Sequence, residues 1–110
     1  MNQLSGCTTQ LTGSGWTNIS SERLDSFAFE RSKWRVGVTT YGLVTVVDIR
    51  KGRVRDYTRE GLSGYVPSDY AWRYERWEDV LGDYPRYVVQ AVECLMSESE
   101  TILKKLHLNT

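Results

Sequence analysis

The side chains best suited to chemistry are few, and their positions argue against catalysis. The single histidine, His107, falls in a C-terminal stretch of helical pattern, where fraying leaves a general base poorly held; it reads as a surface or capping residue. Cys94 lies one position from an apolar helical stripe and reads as a small buried hydrophobe. Cys7 sits in a polar stretch without the basic neighbour that would lower its pKa. Two cysteines are too few for a disulfide framework and have no metal-ligand spacing, and one histidine cannot complete a zinc site of the usual kind. No metal and no cofactor is therefore expected. The carboxylate pairs Glu78-Asp79 and Glu98/Glu100 occupy helical patterns on which neighbouring acids diverge, which marks a solvated face. Gly13-Ser14-Gly15 and Gly61-Leu62-Ser63-Gly64 have neither the spacing nor the lysine of a phosphate-binding loop. Taken together, these residues give no expected catalytic site, and the chain is not expected to be an enzyme.

A different chemistry is concentrated between residues 35 and 57. Arg35, Arg50, Lys51, Arg53 and Arg55 fall within a short span that ends on Tyr57. Guanidinium groups are planar donors matched to carboxylate and phosphate oxygens, so a cluster of them is suited to holding an anionic partner. These six residues are the candidate partner-binding set.

The elements that must position this set are the clearest in the sequence. Residues 34–40 alternate apolar and polar with period two, and residues 43–49 are rich in β-branched side chains. Tyr41-Gly42 and Lys51-Gly52 each place glycine second in a two-residue loop. With both loops of that length, Val38 faces Thr45, Val36 faces Val47, Trp34 faces Ile49, and Ile49 faces Val54. One sheet face then holds Trp34, Val36, Val38, Leu43, Val47, Ile49 and Val54 and is expected to carry the core. The other holds Arg35, Arg50, Arg53, Arg55 and Tyr57 around Val44 and Val46, with Asp48 between Arg35 and Arg55 as an opposite-charge ladder.

Around this meander the pattern is simpler. Residues 1–19 are polar, without periodicity, and read as a loosely ordered arm pinned by Trp16, with a single domain over 20–110. Residues 20–31 fit either a short helix capped by Ser20 or Ser21 or a further strand carrying Phe27 and Phe29, and the sequence leaves both open. The spacing of Tyr70, Tyr74, Trp77 and Leu81 predicts a helix from Ser68 or Asp69 that stops at Gly82. A second helix follows Pro85 with Val88, Ala91, Val92 and Leu95 as its stripe. Ser97-x-x-Glu100 marks either the start of a third or a continuation of the second. Strands followed by helices predict an α+β fold: a three-stranded antiparallel meander, with residues 26–31 as a fourth strand in the extended reading, and C-terminal helices packed on one face.

Length and composition bound the function. A chain of 110 residues with 40% hydrophobic and 25% charged residues is expected to form one globular domain. No apolar run approaches the ~20 residues of a membrane span. The N-terminal stretch has no secretory-signal pattern, so the Asn18-Ile19-Ser20 sequon carries no expectation of glycosylation. A reducing, cytoplasmic location is the simplest. Net charge is zero but divided: residues 1–59 hold nine Lys/Arg and five Asp/Glu, and residues 60–110 hold five and nine. Such asymmetry marks either a polar partner surface or two halves that attract each other. Four Trp and seven Tyr supply residue types favoured at interface hot spots. The expected class is a small non-catalytic protein-binding module, such as a microbial or phage regulator, inhibitor, adaptor or immunity-type protein. A second copy of the chain is one candidate partner. The alternative is a nucleic-acid-binding module that uses the basic face of the meander.

Overall fold

The computed structural model describes residues 5–20, 27–39, 43–58 and 75–108. The chain is α+β. Five antiparallel strands lie side by side in chain order: β1 (Thr17–Asn18), β2 (Phe27–Arg31), β3 (Trp34–Val38), β4 (Val44–Asp48) and β5 (Arg53–Thr58). A two-residue β6 (Glu75–Arg76) joins β5 in parallel. Among the described residues three α-helices complete the order: α1 (Ser5–Gly13), α2 (Arg86–Ser97) and α3 (Ser99–Leu108). The α+β class is as expected, but the sheet is larger than a three- or four-stranded meander.

The additional strands arise where the sequence lacks conventional turn signals. Arg31 pairs with Trp34 across Ser32-Lys33, and Ser32 takes a left-handed φ of 58° without being glycine or asparagine. Phe27 and Phe29 are buried on that strand, which settles residues 27–31 as extended. Residues 21–26, over which a helix capped by Ser20 or Ser21 would begin, lie outside the described part. The Ser20 hydroxyl accepts from the Ala28 N–H at 3.1 Å and donates to the Ala28 carbonyl at 3.3 Å, closing the sheet beside β1.

Where a loose arm is expected, residues 5–13 form α1, with Cys7 and Leu11 buried, and Trp16 is also buried. Arg31 ties this segment down by donating from Nη1 to the Ser14 carbonyl at 2.9 Å. Its guanidinium also lies 4.0 Å from the Tyr87 ring centroid, and Trp16 packs on the same ring. Apolar anchors spaced along a polar stretch are enough to dock it, although they give α1 no amphipathic signal. Residues 1–4 lie outside the described part.

Register is the principal correction. The observed rows are Trp34–Asp48–Arg53, Val36–Val46–Arg55 and Val38–Val44–Tyr57. Relative to two-residue loops, β4 has slipped by one position against β3, which turns its other face inward. Val44, Val46 and Tyr57 are buried in the core with Trp34, Val36 and Val38, whereas Val54 and Ile49 are exposed. Both alternate sets of β4 side chains are largely apolar, so alternation alone does not choose between them. The choice rests on how β4 pairs with β3. The second turn leaves Val54 on the same face as Val47; it spans four residues, Ile49 to Gly52, and Asp48 nucleates it by accepting the Lys51 N–H at 3.2 Å, while Gly52 takes φ of 67°. Tyr41-Gly42 lies outside the described residues.

Gly37 marks how closely the sheet is built. A Cβ there would come within 2.7 Å of the Phe27 carbonyl oxygen and 3.1 Å of the Ala28 Cβ. Because the first contact is backbone, it cannot be relieved by a side-chain rotation. Gly37→Ala is expected to cost on the order of 2 kcal/mol in urea denaturation, against a near-neutral Gly82→Ala, whose Cβ meets nothing within 4 Å.

The helix predicted from 68 to 81 is absent over its described part. Glu75–Arg76 is strand, and single 3-10 turns span Trp77–Asp79 and Leu81–Asp83. Residues 68–74 lie outside the described part. The open edge of β5 captures Glu75–Arg76, and Trp77 enters an aromatic cluster instead of a helical stripe: it meets Tyr57 edge-on at 5.2 Å and stacks on Tyr84 at 6.0 Å. Beyond Pro85 the pattern reads correctly: Val88, Ala91, Val92 and Leu95 are all buried on α2, which contacts β3 and β4. Ser97 does not cap α3. It ends α2, with its hydroxyl donating to the Cys94 carbonyl at 2.7 Å. No described helix is long and apolar enough to cross a membrane.

Candidate basic cleft

The register that buries Val44, Val46 and Tyr57 also brings Arg53 and Arg55 onto the core side of the sheet. At the Trp34 end of β3 the inward rows become polar, Asp48 and Arg53 beside Trp34. A half-open cleft of about 740 Å³ forms there between the sheet and the residues leading into α2. Its cations are Lys33, Arg50, Lys51, Arg53 and Arg55, and its carboxylates are Asp48 and Asp83. Trp34, Tyr84 and Tyr87 contribute aromatic lining.

Four of the six expected site residues therefore meet: Arg50, Lys51, Arg53 and Arg55. The other two do not join them as a surface. Arg35 lies on the opposite face of the sheet, where its Nε donates to Glu30 Oε2 at 2.9 Å in an exposed ion pair. The ladder expected through Arg35, Asp48 and Arg55 does not form, since Arg35 faces Val47 and Asp48 faces Arg53. Tyr57 is fully buried, and its hydroxyl shares a hydrogen bond with that of Tyr84. It supports the cleft from beneath.

Lys33, Asp83, Tyr84 and Tyr87 are the lining residues that the sequence does not mark. Lys33 carries a weak signal, because it immediately precedes the meander at Trp34. The others reach the cleft only through packing of the segment before α2.

Asp48 organises the basic residues. Its carboxylate accepts the Lys51 N–H and pairs with Lys33 Nζ at 3.4 Å. The Lys33 ammonium also sits 4.8 Å from the Trp34 ring centroid. Burial by itself would raise the Asp48 pKa, but the Lys51 N–H hydrogen bond and the Lys33 and Lys51 charges outweigh it and hold the carboxyl below the ordinary aspartate value. A lowered folded-state pKa contributes stability that is present above the unfolded value, about 4, and is lost as pH falls through the folded value. Asp48→Asn is accordingly expected to be less stable than wild type at pH 7, with the gap closing as pH falls below about 4. Denaturant midpoints measured from pH 7 to pH 2.5 check this; a gap independent of pH would contradict the assignment.

Arg50, Lys51 and Arg53 are exposed at the cleft mouth, and among the described residues their side chains have no ion-pair or hydrogen-bond partner. This grouping suits capture of carboxylate or phosphate oxygens. Among the described residues, no three His, Cys, Asp or Glu side chains gather as a metal-binding group. No protein-family model matches the chain, and no curated protein or solved structure is significantly similar to it.

Proposed function

We propose that this chain is a small non-catalytic binding module, of the regulator, adaptor, inhibitor or immunity type, whose basic cleft receives an acidic segment of a partner protein. The observation that carries this reading is the convergence of five cations and two carboxylates on one half-open cleft. Two of those cations, Arg50 and Lys51, stand exposed on a single turn anchored by Asp48, and the exposed Arg53 opens β5 directly after it. Cations held in place by a turn lose less freedom on binding than cations on a loose arm, so more of their attraction contributes to affinity. The two free thiols suit a reducing compartment, of which the cytoplasm is the simplest.

The same cations favour a second reading, single-stranded nucleic acid. Such strands rely on exposed rings for stacking. Here Trp34 is buried edge-on against Tyr84 beneath Lys33, and Tyr87 lies beneath Arg31. Engaged rings favour carboxylates over bases.

Affinity purification of the tagged chain from its native cells is expected to recover a stoichiometric protein. A Glu-rich peptide should displace that protein, and an uncharged peptide of equal length should not. Recovery of nuclease-sensitive material, with binding that falls steeply with salt, would support the nucleic-acid reading instead. A chain recovered alone, or only as its own dimer, would reject an acidic heterologous partner.

A further inference from the structure

We propose that Cys7 and Cys94 form a dithiol site that closes to an intramolecular disulfide by exchange with a low-molecular-weight disulfide entering the groove between α1 and α2. The two sulfurs lie 2.8 Å apart although 87 positions separate them in the chain. Bond formation needs an approach of less than about 1 Å to reach the usual ~2.05 Å. The thiols differ in access. Cys7 is fully buried and Cys94 is half-buried. A groove of about 470 Å³ opens on Cys94 and is bordered by Gln10, Trp16, Tyr87, Gln90 and Glu93. Gln10 Oε1 lies 3.4 Å from Cys94 Sγ, which orients the thiol at the groove floor.

This asymmetry sets the order of steps. Burial pushes the Cys7 thiol up, and its contact with Cys94 and the nearby Glu98 charge act in the same direction, so Cys7 keeps its proton until Cys94 has been consumed in a mixed disulfide. Cys94 is the entry sulfur. It loses its proton and attacks one sulfur of the reagent; the reagent's S–S bond breaks and its first thiol leaves with that proton. Cys7 then attacks Cys94 Sγ, the mixed disulfide breaks, and the second reagent thiol departs with the Cys7 proton. One reagent disulfide is reduced to two thiols, and the protein dithiol is oxidised to one disulfide. The product ties α1 to α2 across most of the chain, a closure that strongly restricts the unfolded state.

Oxidised glutathione is the probe. The folded wild-type chain is incubated with it, quenched with acid, alkylated under denaturing conditions and weighed intact. The expected product is lighter than the reduced chain by two hydrogen atoms, takes no alkyl group, and melts on the order of 10 °C higher. Dithiothreitol should restore both thiols. In Cys7→Ser, which leaves Cys94 in place, one glutathione should remain attached at Cys94. A wild-type product that retains glutathione, takes two alkyl groups or appears as a disulfide-linked dimer would overturn the proposal.

Discussion

Replacing Arg50 and Arg53 together by Glu is expected to weaken binding of the acidic partner by roughly 100-fold or more at low salt while leaving the fold intact. Each hydrogen bond to a charged group contributes about 1.5–3 kcal/mol, and losing two corresponds to two or more decades of affinity. Reversal adds repulsion to that loss. Both side chains are exposed at the mouth of the cleft, but Arg53 faces Asp48 across β4 and β5, so the double reversal should cost up to about 1 kcal/mol of stability from the opposed carboxylates. The informative control is Arg35→Ala. Arg35 belongs to the same basic cluster in the sequence, but it faces away from the cleft and pairs with Glu30. Its replacement should leave affinity unchanged and cost about 0.2–1 kcal/mol of stability, as for an exposed ion pair. Titration calorimetry with the purified partner and urea denaturation measure the two effects. Equal loss of binding in both variants would move the interface off the cleft and onto the outer sheet face.

That control depends on a distinction the sequence does not make. It places strands at residues 34–40 and 43–49, and the structure has strands at Trp34–Val38 and Val44–Asp48. It cannot phase them. Along residues 43–49 the set Leu43, Thr45, Val47, Ile49 is at least as apolar as the set Val44, Val46, Asp48; the second set is buried throughout, and of the first only Leu43 is buried. The deciding contacts are nonlocal: Val44 must meet Val38 and Val46 must meet Val36 across β3 and β4. The cluster of cations was legible as composition. Its division between two faces was not, because that division follows from the register of β4 against β3. Likewise α1 was hidden, since its helix is anchored by Cys7 and Leu11 without an amphipathic stripe. By contrast α2 was plain, because Pro85 and four stripe residues agree locally and globally.

Trp77→Ala is expected to cost about 3–5 kcal/mol of stability. Trp77 has no exposed surface; it stacks on Tyr84, meets Tyr57 edge-on and donates from Nε1 to Glu93 Oε2 at 3.3 Å. A domain of this size has about 5–15 kcal/mol of stability in total, so the loss should lower the melting temperature by on the order of 15 °C. The consequences should extend to the cleft. Tyr84 stacks on Trp77, shares a hydrogen bond with Tyr57, and meets Trp34 edge-on at 5.5 Å beside the basic residues. Removing the indole leaves that aromatic support unsupported from one side. Trp77→Phe keeps an apolar ring but loses the Nε1–H donor, and should fall between wild type and alanine. Leu81→Ala is the matched control, because Leu81 was expected on the same helical stripe but is 39% exposed and should cost less than about 0.5 kcal/mol. Thermal melts followed by near-ultraviolet circular dichroism would read both stability and the aromatic packing. If Trp77→Ala and Leu81→Ala melted within a few degrees of each other, the helical stripe would be restored and the aromatic cluster rejected as the support of the cleft.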